Sequence, residues 1–212
     1  MSSLRLARLL ALLLALAPGL GAGAARAADE PAQAPASPGA QAPAPPNPDL
    51  EAPSPLKPGD AFGEPVTLPE RTIIYLQGHS SWDSALDTLV DAFKSLDEYL
   101  AKQGIKADGP AMTIYTQTDD SGFGFRVAVP VAQAPANPPK GDIAVGQAPA
   151  GKALKFVHRG PYDAMDETYE AIINYLDDKG LEAKDVFVEE YPEGRLKQGD
   201  DKLLVNVFVP VK

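Results

Sequence analysis

WDSALDTLVDAFKSLDEYLAKQG, residues 82–104, is the stretch from which the rest of the chain can be read. Trp82, Leu86, Leu89, Phe93, Leu96 and Leu100 follow one another at steps of 4, 3, 4, 3 and 4. Those steps keep one face of a 3.6-residue helix apolar, so the spacing predicts an amphipathic helix of about six turns. Ser80 or Ser81 offers an N-cap and Gly104 a C-terminal stop. Upstream, Arg71 to Gln77 is rich in β-formers and reads as a strand. Downstream, Met112 to Gln117 and Phe123 to Val131 read as two strands joined by a turn-rich loop from Thr118 to Gly122.

The same order then returns. Lys152 to His158 is a strand, and Tyr162, Met165, Tyr169, Ile172 and Leu176 form a second apolar stripe with Gly180 as its stop. Val186 to Tyr191 and Leu203 to Val211 are the last two strands. Phe93, Leu96, Tyr99, Leu100, Gly104 and Tyr115 are matched 76 positions later by Tyr169, Ile172, Tyr175, Leu176, Gly180 and Tyr191. Val129-Pro130-Val131 recurs as Val209-Pro210-Val211, 80 positions on, and the difference lies in a longer hairpin loop in the second half. We read this as a tandem duplication of a strand-helix-strand-strand unit. Neither half alone buries enough surface to stand, so halves 69–131 and 149–212 are expected to pair about a pseudo-twofold axis. The fold class expected is α+β, an antiparallel sheet with two long helices packed on it.

The rest of the 212 residues does not belong to this core. Arg5 and Arg8, the apolar run Leu9 to Leu16 and the small-x-small triplet Ala25-Arg26-Ala27 predict a signal peptide over 1–27, and hence a periplasmic or secreted protein. The apolar run is shorter than the ~20 residues a spanning helix needs. Residues 28–68 are rich in Pro and Ala; the prolines, which lack an amide donor and fix φ, let neither helix nor sheet propagate, so the segment is expected to form a disordered, extended linker. Loss of residues 1–27, with three Arg and no acid, would take the net charge from −10 to −13. Such a surface repels nucleic acid and anionic membranes. The absence of cysteine excludes disulfides, thiolate metal sites and a catalytic thiol.

The run Pro149-Ala150-Gly151-Lys152-Ala153, then His158-Arg159-Gly160-Pro161-Tyr162-Asp163, then the helix with Tyr169 and Tyr175-Leu176, resembles the second half of GyrI-like domains. These are also the effector-binding domains of AraC-type and MerR-type regulators. Glu189-Glu190-Tyr191 falls where that family has Glu-x-Tyr, and Val209-Pro210-Val211 fits its end. The resemblance covers about residues 69–212. It implies two modules enclosing a cleft that takes hydrophobic or cationic small molecules; some relatives inhibit gyrase and some hydrolyse reactive cyclopropane-bearing compounds. No helix-turn-helix precedes the domain here, which argues against a transcription factor, and export argues against a gyrase inhibitor.

Strand alternation puts Phe187, Glu189 and Tyr191 on one face and Val186, Val188 and Glu190 on the other. A carboxylate between two rings is a receptor for a cation, and the resemblance points to Glu189. A solvated strand with Glu189 exposed is the competing reading, and a one-residue slip would substitute Glu190. Tyr162, directly after Gly160-Pro161, would open the second helix at the mouth of the cleft; in the 76-residue register its counterpart is Leu86, which favours core. Trp82 is cleft lining or staple, and Tyr115 mirrors Tyr191. Phe123 and Phe125 share a face with Val127 and Val129 and read as core. The ligand-binding set is therefore Glu189, Tyr191, Tyr162, Tyr115 and Trp82.

His79 and His158 lie at comparable strand ends, and two His without Cys do not make a zinc site, so no metal and no cofactor is expected. A haem-binding family of similar duplicated architecture leaves haem ligation by one His open, with no other support here. Three functions follow: an exported, non-catalytic binder of apolar or cationic organic molecules; a hydrolase with Glu189 as general base and a Tyr as proton donor; or an envelope interaction module with a vestigial pocket.

Overall fold

In the computed structural model, residues 56–137 and 139–212 are described; the signal peptide expected over 1–27 and the linker from 28 to 55 lie outside them. The strands are β1 (Phe62–Leu68), β2 (Thr72–Ser81), β3 (Ala111–Thr118), β4 (Gly122–Pro130), β5 (Ile143–Gln147), β6 (Gly151–Arg159), β7 (Phe187–Tyr191) and β8 (Leu204–Pro210). The helices are α1 (Ala85–Gln103) and α2 (Met165–Lys179). All eight strands form one antiparallel sheet in the order β1-β6-β8-β7-β3-β4-β2-β5, so the fold is the α+β arrangement expected.

The order is symmetric about the central pair of β3 and β7, and nothing in it conflicts with the duplication read from the repeat. Each leading strand crosses over: β1 precedes β2 in the chain but pairs with β6, while β5 precedes β6 but pairs with β2. The last seven residues of the expected linker are thus an edge strand. Pro65 sits in it opposite Leu154 because an edge strand has one side whose amides need no partner. Gly63 interrupts the register with φ +74°, and the Tyr175 hydroxyl donates to its carbonyl at 3.2 Å. An added Cβ there would stand 2.2 Å from the Tyr175 ring.

Both helices lie on one face. Leu89, Phe93, Leu96 and Leu100 of α1 and Met165, Tyr169, Ile172 and Leu176 of α2 join one buried cluster with Phe125, Val127 and Val129 of β4 and Phe156 of β6. Burying a side chain such as Leu96, fully inaccessible here, stabilises by roughly 1.5–3 kcal/mol. A cavity left by Leu96→Ala would cost about 2–5 kcal/mol. The reverse face carries a smaller cluster that includes Ile73, Met112, Ile114, Val188 and Phe208.

Gly104 and Gly180 end the helices as expected, in the left-handed conformation at φ 65° and 60°. Ile105 N–H and Leu181 N–H then reach back to the carbonyls of Leu100 and Leu176, both at 2.9 Å, which closes each last turn. The starts differ from expectation. Neither helix has a side-chain cap; Ser80 Oγ bonds Thr88 Oγ1 instead, and Pro161 precedes a short 3-10 turn rather than opening α2. Trp82 and Tyr162 each begin such a turn and are therefore each other's counterparts, which corrects the match of Tyr162 to Leu86. The two registers coexist because α1 has 19 residues and α2 has 15, and about 3.6 residues make one turn, so the insertion preserves the buried face.

Candidate functional site

β7 lies at the centre of the sheet, between β8 and β3, under the helices. Its alternation is as the sequence indicates. Phe187 and Tyr191 enter the helix-side core and Val188 the opposite cluster. Glu189, between the two aromatics, is 1% exposed. Glu190 points the other way and is held by Arg71 Nη1 at 3.3 Å and Asn206 Nδ2 at 3.2 Å.

Two tyrosines hold the buried carboxylate. The Tyr169 hydroxyl, from α2, donates to Glu189 Oε1 at 2.8 Å, and the Tyr191 hydroxyl donates to Oε2 at 2.8 Å. Tyr191 thereby spends its proton on Glu189, so the Thr113 hydroxyl, 3.0 Å away and buried on β3, is the donor to Tyr191. Tyr115 and Tyr162 meet through their hydroxyls at 3.4 Å. Phe93 of α1 packs edge-on against Tyr191, with ring centroids 5.6 Å apart, and Phe187 edge-on against Tyr169 at 6.4 Å.

Removal from water pushes the Glu189 carboxyl above the ordinary glutamate value of 4.5, and the hydroxyls of Tyr169, Tyr191 and Tyr115 act against that rise. Burial, followed by the nearby carboxylate, drives Tyr115, Tyr169, Tyr162 and Tyr191 upward from the ordinary tyrosine value. These hydroxyls remain protonated donors at neutral pH. A buried carboxyl with its oxygens saturated by neutral donors is a group of adjustable charge, able to hold a proton or to balance a cation.

Of the five residues singled out in the sequence, Glu189, Tyr191, Tyr115 and Tyr162 belong to this cluster. Trp82 reaches it only through Phe123: its ring lies 4.9 Å from Phe123, which lies 5.3 Å from Tyr115. Its indole N–H donates to the Asp119 carbonyl at 2.8 Å, a contact that fixes the β3–β4 hairpin. Phe123 and Phe125 are core, as their shared strand face indicates. Tyr169 and Thr113 were missed as site residues. For Tyr169 the available signal was a tyrosine in the middle of an apolar helix stripe, between Met165 and Ile172, since a buried phenol needs a partner. His79 is exposed, whereas His158 is fully buried with Nδ1 2.8 Å from Thr168 Oγ1.

Among the described residues, concavities of about 450 and 430 Å³ open on the surface, and neither of these is lined by Glu189. The smaller lies beside the cluster, between α1 (Val90, Phe93, Lys94, Asp97) and the β7–β8 loop (Arg195, Leu196).

The family model of the GyrI-like small molecule binding domain matches residues 64–212. Comparison with curated proteins gave no match. Among solved structures, the EcmrR–DNA complex has a chain similar to this one at TM-score 0.59 and 19% identity, over 70% of this chain and 56% of that one. The EcmrR C-terminal domain is similar at TM-score 0.54 and 17% identity, over 70% of this chain and 95% of that one. SAV2435 bound to tetraphenylphosphonium is similar at TM-score 0.51 and 15% identity, over 70% and 93%. At such identities the likeness concerns the fold, and this chain spans only about half of the first of these.

Proposed function

Since the chain belongs to the family of GyrI-like small-molecule-binding domains, we propose that it is an exported binder of apolar or cationic organic molecules. Glu189 supplies the charge, and Tyr191, Tyr162, Tyr115 and, one ring further out, Trp82 supply the walls. The reading rests on one observation: a carboxyl that is 1% exposed, in an apolar core, held by two tyrosine hydroxyls at 2.8 Å. Burying such a group is costly unless something compensates for it, and a bound cation is the compensation that matches its charge. SAV2435, of similar fold, holds the lipophilic cation tetraphenylphosphonium, which supports the ligand class. Entry requires Phe93 and the β7–β8 loop to part, because the neighbouring concavity stops short of Glu189. The test is a thermal-shift and calorimetric titration with tetraphenylphosphonium and other lipophilic cations. Stabilisation that disappears in Glu189→Gln supports the reading; no shift with any cation in the wild type removes it.

Two observations favour other readings. The upward-shifted carboxyl suits a general base, so a hydrolase would turn over a reactive electrophile and lose turnover, but not binding, in Glu189→Gln. The packing of Tyr169, Tyr191 and Phe93 around the carboxyl suits a vestigial pocket, and an envelope interaction module would bind none of the panel.

A further inference from the structure

A second group of polar residues lies on the sheet face turned away from the helices. Ile73 and Tyr75 of β2 and Ala128 of β4 belong to the cluster on that face, so Gln77, His79 and Arg126, which follow by steps of two, share it. There, Gln77, His79, Thr116, Arg126 and Asp142 line the concavity of about 450 Å³. That volume is within the range of small-molecule sites.

Three backbone features give this concavity its shape. The pairing of β3 with β4 slips between Tyr115 and Gln117, so Thr116 is the extra residue of a bulge, a device that re-aims a side chain. Gly124 leaves bare backbone beneath it: a Cβ there would stand 3.2 Å from Thr116 Oγ1 and 3.4 Å from His79 Nε2, so both polar atoms converge over the gap. Gly146 in β5 leaves room for the Tyr75 ring, which would touch a Cβ at 3.0 Å, and that ring carries the Arg126 guanidinium 4.8 Å from its centroid.

Arg126 differs from its peers. Arg71, Arg159 and Arg195 each hold a carboxylate, of Glu190, Asp60 and Asp97. Among the described residues Arg126 holds none; it is laid on Tyr75 instead, which orients the guanidinium and leaves its N–H edge for a bidentate acceptor. Asp142 lines the same concavity and supplies the opposite charge. A plain anion would be repelled by a chain of net charge −10, whereas a molecule carrying both charges would not.

We propose that this concavity binds a small zwitterion, a free amino acid being the simplest. Its carboxylate pairs with Arg126, its ammonium with Asp142, and the Thr116 hydroxyl and His79 imidazole bond the carboxylate over Gly124. Gln77, His79 and Arg126 lie on the sheet face opposite Glu189, and Phe125 of the helix-side core also lines the concavity.

The experiment is a titration of the full chain, followed by calorimetry and by amide and imidazole NMR, with glycine, L-alanine and L-leucine. Acetate and methylammonium serve as half-ligands. Saturable shifts at His79 and Thr116 are expected with at least one amino acid, and each half-ligand should bind about tenfold more weakly or worse. Arg126→Gln should weaken binding about tenfold. Gly124→Ala should block it by filling the gap. Asp142→Asn should erase the preference over acetate, and Glu189→Gln should change nothing. The proposal is overturned if none of the three amino acids gives a saturable shift, if Arg126→Gln binds like the wild type in a folded protein, or if acetate binds as well as the amino acids.

Discussion

Arg195 in the β7–β8 loop grips Asp97 of α1 with both Nε and Nη2, at 2.7 to 3.1 Å. The same guanidinium lies 6.0 Å from the centre of the Phe93 ring, whose neighbour Tyr191 donates to Glu189. The hairpin loop that is longer in the second half is thereby tied to the helix of the first, two rings, Phe93 and Tyr191, away from the buried carboxyl. Leu196, next to Arg195, is 2% exposed and anchors the loop in the core.

Arg195→Ala should free this loop without unfolding the domain. The ion pair is partly exposed, with side-chain accessibilities of 28% and 41%, so its loss should cost only about 0.5–1 kcal/mol. Hydrogen exchange should quicken over residues 193–200 and stay unchanged in α2. Equal exchange in variant and wild type would mean that Leu196 alone holds the loop.

Glu189→Gln should stabilise the protein at neutral pH, by about 1–3 kcal/mol, because it removes the cost of burying a charge. The folded-state carboxyl titrates above its ordinary 4.5. Its favourable contribution is therefore complete below pH 4.5 and is lost as pH rises through the folded value. His158 acts in the other direction: burial lowers it from 6.5, so its contribution is complete above 6.5 and is lost as pH falls below that. Melting temperatures from pH 4 to 8 should show the gap between Glu189→Gln and wild type widening from pH 4.5 upward. A gap that stays constant across that range would contradict the shifted carboxyl.

At a pH where the folded Glu189 carboxyl still holds its proton, binding of a lipophilic cation should release that proton. The cation favours the charged carboxylate that burial disfavours, so affinity should rise with pH through the titration of Glu189 and level off above it. Calorimetry in buffers of different ionisation enthalpy reads the proton directly. Affinity independent of pH, with no proton released, would place the cation elsewhere.

Tyr191→Phe should be more damaging than Tyr169→Phe. Tyr191 links Glu189 and Thr113, so its loss strands a buried hydroxyl as well as a carboxyl oxygen, whereas Tyr169 has the single bond to Oε1. A stranded buried group costs about 1–3 kcal/mol. Chemical denaturation of the two variants, each also made in the Glu189→Gln background, would apportion the difference.

Gly63→Ala tests whether β1 is part of the domain. The residue has φ +74°, and a Cβ would stand 2.2 Å from the Tyr175 ring. Strain and overpacking together should cost about 2 kcal/mol or more and expose residues 56–68 to proteolysis. Unchanged stability and protease resistance would mean that the domain begins at β2.

What the sequence determined by itself was the local periodicity. The apolar stripes of α1 and α2, the glycines that end them and the alternation that puts Glu189 between Phe187 and Tyr191 all follow from spacings within one element. Helices and strands impose periods of about 3.6 and 2 wherever they form, so such patterns are legible without knowledge of neighbours. Only the tertiary structure decided which elements meet. β1 escaped notice because Pro65 and the Pro-rich stretch before it mask an edge strand, and its partner β6 is about ninety residues away. Likewise, whether Glu189 is solvated or buried depended on Tyr169 arriving from α2 and Tyr115 from β3, since the protonation and burial of a carboxyl are set by the groups folded around it.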